Sequence, residues 1–151
     1  MQAGSNSLIP QLFILFVALG AAAFICIICF LIGILTGWHA LSERFRAQSE
    51  PYGQGRCVGP FFYNVYMRYW SHYSSVIRMT AADDALYLSV IFAFRLFHPP
   101  LRIPWSEVKL GRTKYFWRQY VVLTLGDQEH IPMRISERMA RKLGILDRLP
   151  N

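Results

Sequence analysis

The first 42 residues of the chain contain no lysine, arginine, aspartate or glutamate. All 16 basic and all 9 acidic residues of this 151-residue sequence begin at Glu43, so the formal net charge of +7 belongs to the C-terminal part. A solvated domain needs charged side chains on its surface. This absence excludes a soluble globular domain at the N-terminus.

The sequence also lacks the motifs of common enzymes and metal sites. It contains no HExxH, P-loop or GxSxG motif, and its four histidines, His39, His72, His98 and His130, have no paired spacing for a metal. Its few acidic pairs fall at predicted turns, where aspartate is favoured for backbone reasons. We therefore expect no catalytic, metal or cofactor site and predict that the protein is not an enzyme.

Cysteine is scarce as well, since the three thiols cannot build a disulfide framework. Cys26 and Cys29 have a CxxC spacing, but they lie inside an apolar run, where a thiolate for metal binding or redox chemistry would be costly to bury. We interpret both as small apolar side chains. The single Cys57 fits a reducing cytoplasm.

An uncharged apolar run over residues 11–38 is the strongest feature that is present. As a helix it would span about 42 Å, more than the ~30 Å hydrocarbon core of a bilayer. We predict a transmembrane helix over 11–38, with Trp38 as an interface anchor at headgroup level. Gly33 and Gly37 form a GxxxG spacing that allows close helix packing, in a homodimer or a larger assembly, although small residues are common in membrane helices anyway.

A cleaved signal peptide is the alternative for this run. Such peptides carry a basic segment before an apolar stretch of roughly 7–15 residues, whereas this run is longer and no basic side chain precedes it. After it come Arg44, Arg46 and Arg56, so the positive-inside rule predicts a cytoplasmic C-terminus. We expect an inner (plasma) membrane protein with residues 1–10 on the extracytoplasmic side and a connector over 39–60.

Residues 61–151 show the turn punctuation and β-branched or aromatic runs of a β-rich domain. Residues 61–73 fit both a helical stripe and a strand, and we favour the strand. We predict further strands at 76–80, 85–90 and 91–97, a broken strand over 101–110 with Pro104 at its break, and a hairpin of 120–125 with 129–135. Ser136 is a predicted N-cap for a helix through Leu146. This order predicts an α+β fold in which one helix packs on an antiparallel sheet.

The segments ALYLSV, FRLFHPPLRIPWSEV and YVVLTL…IPMRI, which follow a membrane anchor, resemble the bacterial membrane-anchored PH-like (pleckstrin-homology-like or GRAM-like) domain proteins. The resemblance covers residues 76–149 and depends most on Leu86, Tyr87, Leu88, His98, Pro99, Pro100, Ile103, Pro104, Trp105 and Val108. It implies a small bent β-barrel capped by the C-terminal amphipathic helix. It implies binding and scaffolding rather than catalysis. A minimal domain of this family does not need residues 61–73.

The segment KLGRTKYFWR interleaves basic and aromatic side chains between two predicted strands: Lys109, Arg112, Lys114, Tyr115, Phe116, Trp117 and Arg118. Exposed at a loop or hairpin tip, they would suit a protein partner, because Arg, Tyr and Trp dominate interface energetics. They would also suit anionic membrane lipid. Alternatively, the aromatic residues belong to the core and the charges are simply solvated. Nucleic-acid binding is disfavoured, because no reader motif accompanies the basic residues.

These observations lead to one functional expectation and one alternative. We expect a non-enzymatic, membrane-anchored accessory or scaffold subunit whose cytoplasmic domain docks onto a membrane protein complex, for example a bioenergetic one. The alternative is a peripheral module that binds or senses anionic lipid. The sequence selects no particular partner complex.

Overall fold

A computed structural model of the chain describes residues 8–48, 55–59, 63–68 and 71–149. The fold is α+β, as expected. An apolar N-terminal helix is followed by two antiparallel sheets and a short C-terminal helix. The sheets, together with a second short helix, enclose the hydrophobic core.

The N-terminal helix, α1, extends over Leu8–Leu35. Its segment Ile9–Leu35 is long and apolar enough to cross a membrane, and most of its large side chains are exposed. The helix begins and ends three residues earlier than the predicted 11–38. It ends there because Gly37 has a left-handed backbone (φ 83°), a conformation that glycine adopts without steric cost.

A second helix, α2 (Trp38–Phe45), follows directly within the predicted connector. Trp38, Leu41 and Phe45 are buried, and Arg44 forms ion pairs with Glu107 (3.0 Å) and Glu129 (3.1 Å). The apolar face of α2 thus packs against the sheets, and the ion pairs of Arg44 link the exposed side of α2 to the rest of the domain. Residues 49–54 of the connector lie outside the described residues.

The first sheet has four strands in the order β1-β4-β5-β6. These are β1 (Arg56–Val58), β4 (Ile77–Ala81), β5 (Ala85–Val90) and β6 (Leu101–Pro104). β5 pairs with a strand on each side, and all of its residues except the half-buried Tyr87 are buried.

The second sheet has five strands in the order β3-β2-β9-β8-β7. These are β2 (Asn64–Met67), β3 (Ser71–Ser74), β7 (Val108–Tyr115), β8 (Arg118–Leu125) and β9 (Ile131–Ser136). β2 and β3 show that the described part of 61–73 is a strand hairpin, while residues 61, 62, 69 and 70 of that segment lie outside the description. One face of β8 and β9 enters the core, with Val121, Leu123, Leu125, Ile131, Met133 and Ile135 all buried.

One segment differs from its prediction, and one predicted break is confirmed. Residues 91–97 were expected to form a strand, but Phe92–Phe97 form a 3₁₀ helix. The ladder of β5 ends where the Ile91 amide bonds the Val76 carbonyl, and the prolines at 99 and 100 add no donors to extend it. The break at Pro104 is confirmed, because β6 ends there and a short 3₁₀ helix over Trp105–Glu107 leads into β7.

The C-terminal helix, α3 (Glu137–Lys142), begins as predicted. The Ser136 hydroxyl accepts a hydrogen bond from the Met139 amide (3.3 Å), which confirms it as the N-cap. The helix ends before the predicted Leu146, because Gly144 takes a left-handed conformation (φ 68°) that terminates it. Met139 and Ala140 cover one side of the core.

Candidate docking surfaces

The β7–β8 hairpin holds the basic and aromatic residues that the sequence singled out. The two strands pair along eight positions, from Val108 with Leu125 to Tyr115 with Arg118. This register leaves only Phe116 and Trp117 in the turn. The segment is therefore a hairpin tip rather than a long loop. We call residues 112–118 the hairpin tip.

The aromatic side chains of the hairpin tip are exposed. Tyr115 is 58%, Phe116 77% and Trp117 92% exposed, so the alternative in which they belong to the core is wrong. Phe116 also has a left-handed backbone (φ 53°), which costs roughly 1–2 kcal/mol for a residue with a Cβ. Strain combined with exposed rings favours a role in binding over one in folding.

The charges of this segment divide into two groups. Arg112, Lys114 and Arg118 are exposed at the hairpin tip. Lys109 instead lies near the other end of β7, where its ammonium group pairs with Asp127 at 2.7 Å. That contact lowers the pKa of the Asp127 carboxyl. The hairpin tip therefore carries three of the four predicted cations.

A row of rings and one guanidinium crosses the outer face of the five-stranded sheet behind the hairpin tip. His72 stacks on Tyr66 with ring centroids 4.6 Å apart. The Arg134 guanidinium lies 5.4 Å from the Tyr66 centroid and 5.9 Å from that of Tyr115. Alternation in β2 and β9 places Tyr66 and Arg134 on this face, but sequence reasoning missed the row because it depends on which strands are neighbours.

The hairpin tip and the end of α1 lie at opposite ends of β8. A Cβ added at Gly37, just after α1, would clash with Ile131, and Ile131 pairs with Leu125. Arg118 lies seven residues back along β8, which corresponds to about 24 Å of strand. The aromatic tip is thus well separated from the point where the apolar helix enters the domain.

Trp38 does not lie where the sequence suggested. Its side chain has no exposed surface, and its indole nitrogen donates a 2.9 Å hydrogen bond to the Pro99 carbonyl. This corrects the expectation of an interface anchor, because an indole buried in the core cannot reach lipid headgroups. The break at Gly37 turns the chain so that α2 packs into the domain.

A buried polar cluster joins the end of α1 to the domain. The Tyr73 hydroxyl donates to Thr36 Oγ1 (2.9 Å), which itself donates to the Ile32 carbonyl (2.8 Å). The Tyr73 oxygen also lies 3.2 Å from His98 Nε2. Since Tyr73 has only one proton to give, His98 is assigned as the donor through Nε2. Among the described residues, Nδ1 of His98 has no hydrogen-bond partner.

Burial shifts the ionisation of both groups in this cluster. It lowers the pKa of His98. It raises the pKa of Tyr73 to about 12, and the bond to Thr36 offsets only part of that effect. Both side chains are therefore neutral near pH 7, as a low-polarity site requires.

Gly33 and Gly37 contact the chain's own domain. A Cβ added at Gly33 would lie 3.3 Å from the Phe97 carbonyl and 3.6 Å from the His98 ring. Gly37 lies beyond α1, against Ile131 and Arg68. Within one chain these glycines let the 92–98 segment and the second sheet approach the helix. Helix pairing between two chains stays a prediction.

A second exposed apolar surface lies beside α1. Phe92 is 88% and Leu96 72% exposed on the 3₁₀ helix, while the neighbouring Phe97 packs edge-on against Phe30 of α1 with centroids 5.5 Å apart. We call Phe92–Phe97 the helix-side segment. Behind it, a pocket of about 290 Å³ extends between α1 and the second sheet, lined by Cys29, Ile32, Tyr73, Val90, Phe94 and His98 among others.

No group of His, Cys, Asp or Glu side chains that could hold a metal ion occurs within the described ranges. Comparisons with protein-family models, curated proteins and solved structures find no match for this chain. The two exposed surfaces therefore carry the functional interpretation.

Proposed function

We propose that this chain is a non-enzymatic, membrane-anchored accessory or scaffold protein. In this proposal α1 crosses the inner membrane once, and a PH-like cytoplasmic domain docks onto a membrane protein complex through the hairpin tip. The observation that carries it is the tip itself, where a strained turn presents three exposed aromatic rings among three exposed cations.

The anchor is supported by the apolarity and exposure of α1. Its outward-facing side chains, such as Phe13, Phe16 and Phe24, are more than 60% exposed, and large apolar side chains have a lower free energy in hydrocarbon than in water. The basic residues after the helix support the cytoplasmic position of the domain. Packing of Gly33 against the domain also favours retention of the helix over its cleavage as a signal peptide.

The position of the tip favours a protein partner over the lipid in which α1 would lie. About 24 Å of strand separates Arg118 from the helix end, so the anchor alone does not bring the tip to the lipid. Tyr, Trp and Arg are the side chains that most often dominate protein interfaces. Cations surrounding them select a partner with an acidic surface.

The test is gentle extraction of the tagged full-length chain from its native membrane, followed by native-size analysis. The informative variant carries Lys114→Gln, Trp117→Ser and Arg118→Gln, all at exposed positions. The matched control is Lys109→Gln, which removes a cation of the same segment that is already paired with Asp127. We expect the wild type and the control to migrate in a defined large complex, and the triple variant to migrate as the free protein.

A wild-type chain that migrates alone under conditions that preserve known membrane complexes would overturn the docking proposal. Retention of the triple variant in the complex would show that another surface docks. Photo-crosslinking from position 117 separates the lipid alternative, because adducts with lipid and not with protein would assign the tip to anionic lipid.

A further inference from the structure

The helix-side segment has no role in the proposed docking, yet it is the most apolar exposed part of the domain. Phe92 and Leu96 expose most of their surface to solvent. Burial of such a side chain is worth about 1.5–3 kcal/mol, so its exposure on a domain surface calls for a partner. The question is which partner fits this position.

The contacts of the segment with α1 fix its level along the helix. The Phe97 ring packs on Phe30, and the Phe97 carbonyl lies against Gly33. The segment is also held from the domain side, because His98 and Pro99 bond to Tyr73 and Trp38. Its height relative to α1 is therefore set by packing on both sides.

The length of α1 places that level at the edge of the bilayer. The apolar part of the helix has 27 residues, whereas about 20 residues cross the hydrocarbon core. A span that starts near Ile9 thus leaves about seven residues, from Cys29 onward, at the interface. The exposure of α1 falls over this same stretch, where Cys29 is 6% and Ile34 43% exposed, against 75% for Phe16.

We infer that the helix-side segment is a second membrane contact, which inserts Phe92 and Leu96 into the interfacial region of the leaflet that borders the domain. The occupant of this surface is lipid, because the surface is continuous with the lipid-exposed side of α1. Between the two apolar residues, Arg95 is held against the domain, because its Nε donates a 3.3 Å hydrogen bond to the Val90 carbonyl. This inference rests on the membrane anchoring proposed above.

The contact would fix the orientation of the domain. One helix alone allows the domain to rotate and tilt, whereas a second point of insertion holds it in one orientation on the membrane. The hairpin tip, at the far end of β8, is then held in one orientation for a partner. The two exposed surfaces would in this way act together.

The test is spin-label accessibility in the full-length chain, reconstituted in vesicles of phosphatidylcholine and phosphatidylglycerol. Single labels are placed through Phe92→Cys, Leu96→Cys, Phe16→Cys and Arg138→Cys in a background with Cys26→Ala and Cys57→Ser. Cys29 is retained because it is buried, and the parent without an added cysteine measures its background. Position 16 reports the anchor, and the exposed position 138 on α3 reports water.

We expect labels at 92 and 96 to collide more often with oxygen than with a water-soluble nickel complex, as at 16, and the label at 138 to show the reverse. If the labels at positions 92 and 96 show the same collision rates as the label at position 138, while the label at position 16 lies in lipid, this inference is overturned and the membrane anchor is unaffected. A label at 16 in water would overturn both. If a cysteine variant fails to fold, photo-crosslinking from position 92 to lipid asks the same question with all cysteines in place.

Discussion

The hairpin tip and the helix-side segment both expose aromatic or large apolar residues, but their surroundings differ. At the tip, three cations lie within five residues of Trp117, and the strands beneath carry Tyr66 and Arg134 on the same outer face. The helix-side segment has one exposed cation, Arg95, and packs directly on α1. Similar exposure therefore indicates two different partners once position and charge are considered.

The comparison shows that exposure alone does not assign a surface. The tip lies beyond the end of the core, on a hairpin fixed by eight paired positions, and its rings are free to enter a pocket of a partner. The helix-side segment packs against α1 through Phe97 and Phe30, and the exposed side chains of α1 are apolar. A charged, projecting surface fits a protein, whereas an apolar surface continuous with a membrane-type helix fits lipid.

The largest expected difference between the two regions is in stability, and two tryptophans measure it. Trp38, near the helix end, is fully buried, whereas Trp117 at the tip is 92% exposed. Trp38→Ala should lower the free energy of unfolding by about 3–5 kcal/mol. Trp117→Ala should change it by less than about 0.5 kcal/mol. Thermal unfolding of the detergent-solubilised full chain, followed by near-UV circular dichroism, checks both, and equal losses would contradict the assigned burial.

The next effect concerns the break that separates α1 from α2. Gly37→Ala forces a Cβ into a left-handed backbone and against Ile131, which should destabilise the domain by about 1–3 kcal/mol. Gly20→Ala is the matched control, since a Cβ there meets no atom within 4 Å. If both variants unfold at the wild-type temperature, the junction is not a rigid part of the fold.

A smaller effect should appear as a pH dependence of stability that comes from His98, the residue after the helix-side segment. Burial lowers the pKa of His98 in the folded state, so the unfolded state binds the proton more readily. The contribution of neutral His98 to the free energy of unfolding is fully present above the ordinary histidine pKa of about 6.5. It is lost as the pH falls below that value. The rings of Tyr73 and Trp38 pack against His98, and neither side chain titrates in that window.

Thermal unfolding measured from pH 8 to pH 5 tests this expectation. The unfolding temperature should fall below about pH 6.5, and His98→Gln should remove that part of the slope. The lowered pKa values of Asp84 and Asp127 act in a separate, more acidic window. An unchanged slope in His98→Gln would assign the pH dependence to another histidine.

The smallest effect distinguishes cations within one strand. Lys109→Gln should leave capture of the partner unchanged, because Lys109 is engaged by Asp127, whereas Lys114→Gln at the exposed tip should weaken it. Neither should change stability appreciably, since exposed ion pairs contribute little. Binding of the full-length variants to the extracted complex, measured at two salt concentrations, checks the difference. An equal loss for both would indicate that the whole strand faces the partner.

Much of the fold follows from local signals in the sequence. The apolar run predicts α1, alternation predicts β5 and β8, Pro104 marks the strand break, and Ser136 caps the last helix. These features depend on a few neighbouring residues. The helix-side segment was predicted wrongly as a strand because an apolar run of seven residues has no periodicity that separates the two structures.

What the sequence did not reveal depends on contacts between distant residues. In the sequence, Trp38 has the position of an interface anchor. In the structure, the left-handed backbone of Gly37 redirects the chain, so Trp38 is buried in the core. The cluster of Thr36, Tyr73 and His98 joins three segments that only the tertiary fold brings together. Lys109 and Lys114 look equivalent in the sequence, and only the pairing of β7 with β8 places one beside Asp127 and the other at the tip.

The most direct measurement is photo-crosslinking from two positions of the full-length chain in its native membrane. A photoreactive amino acid is placed at position 117 in one variant and at position 92 in the other, and adducts are identified by mass. The account predicts a protein adduct from 117 and lipid adducts from 92. Lipid adducts from 117, or the same protein adduct from both positions, would contradict the division of the domain into a partner-facing tip and a membrane-facing segment.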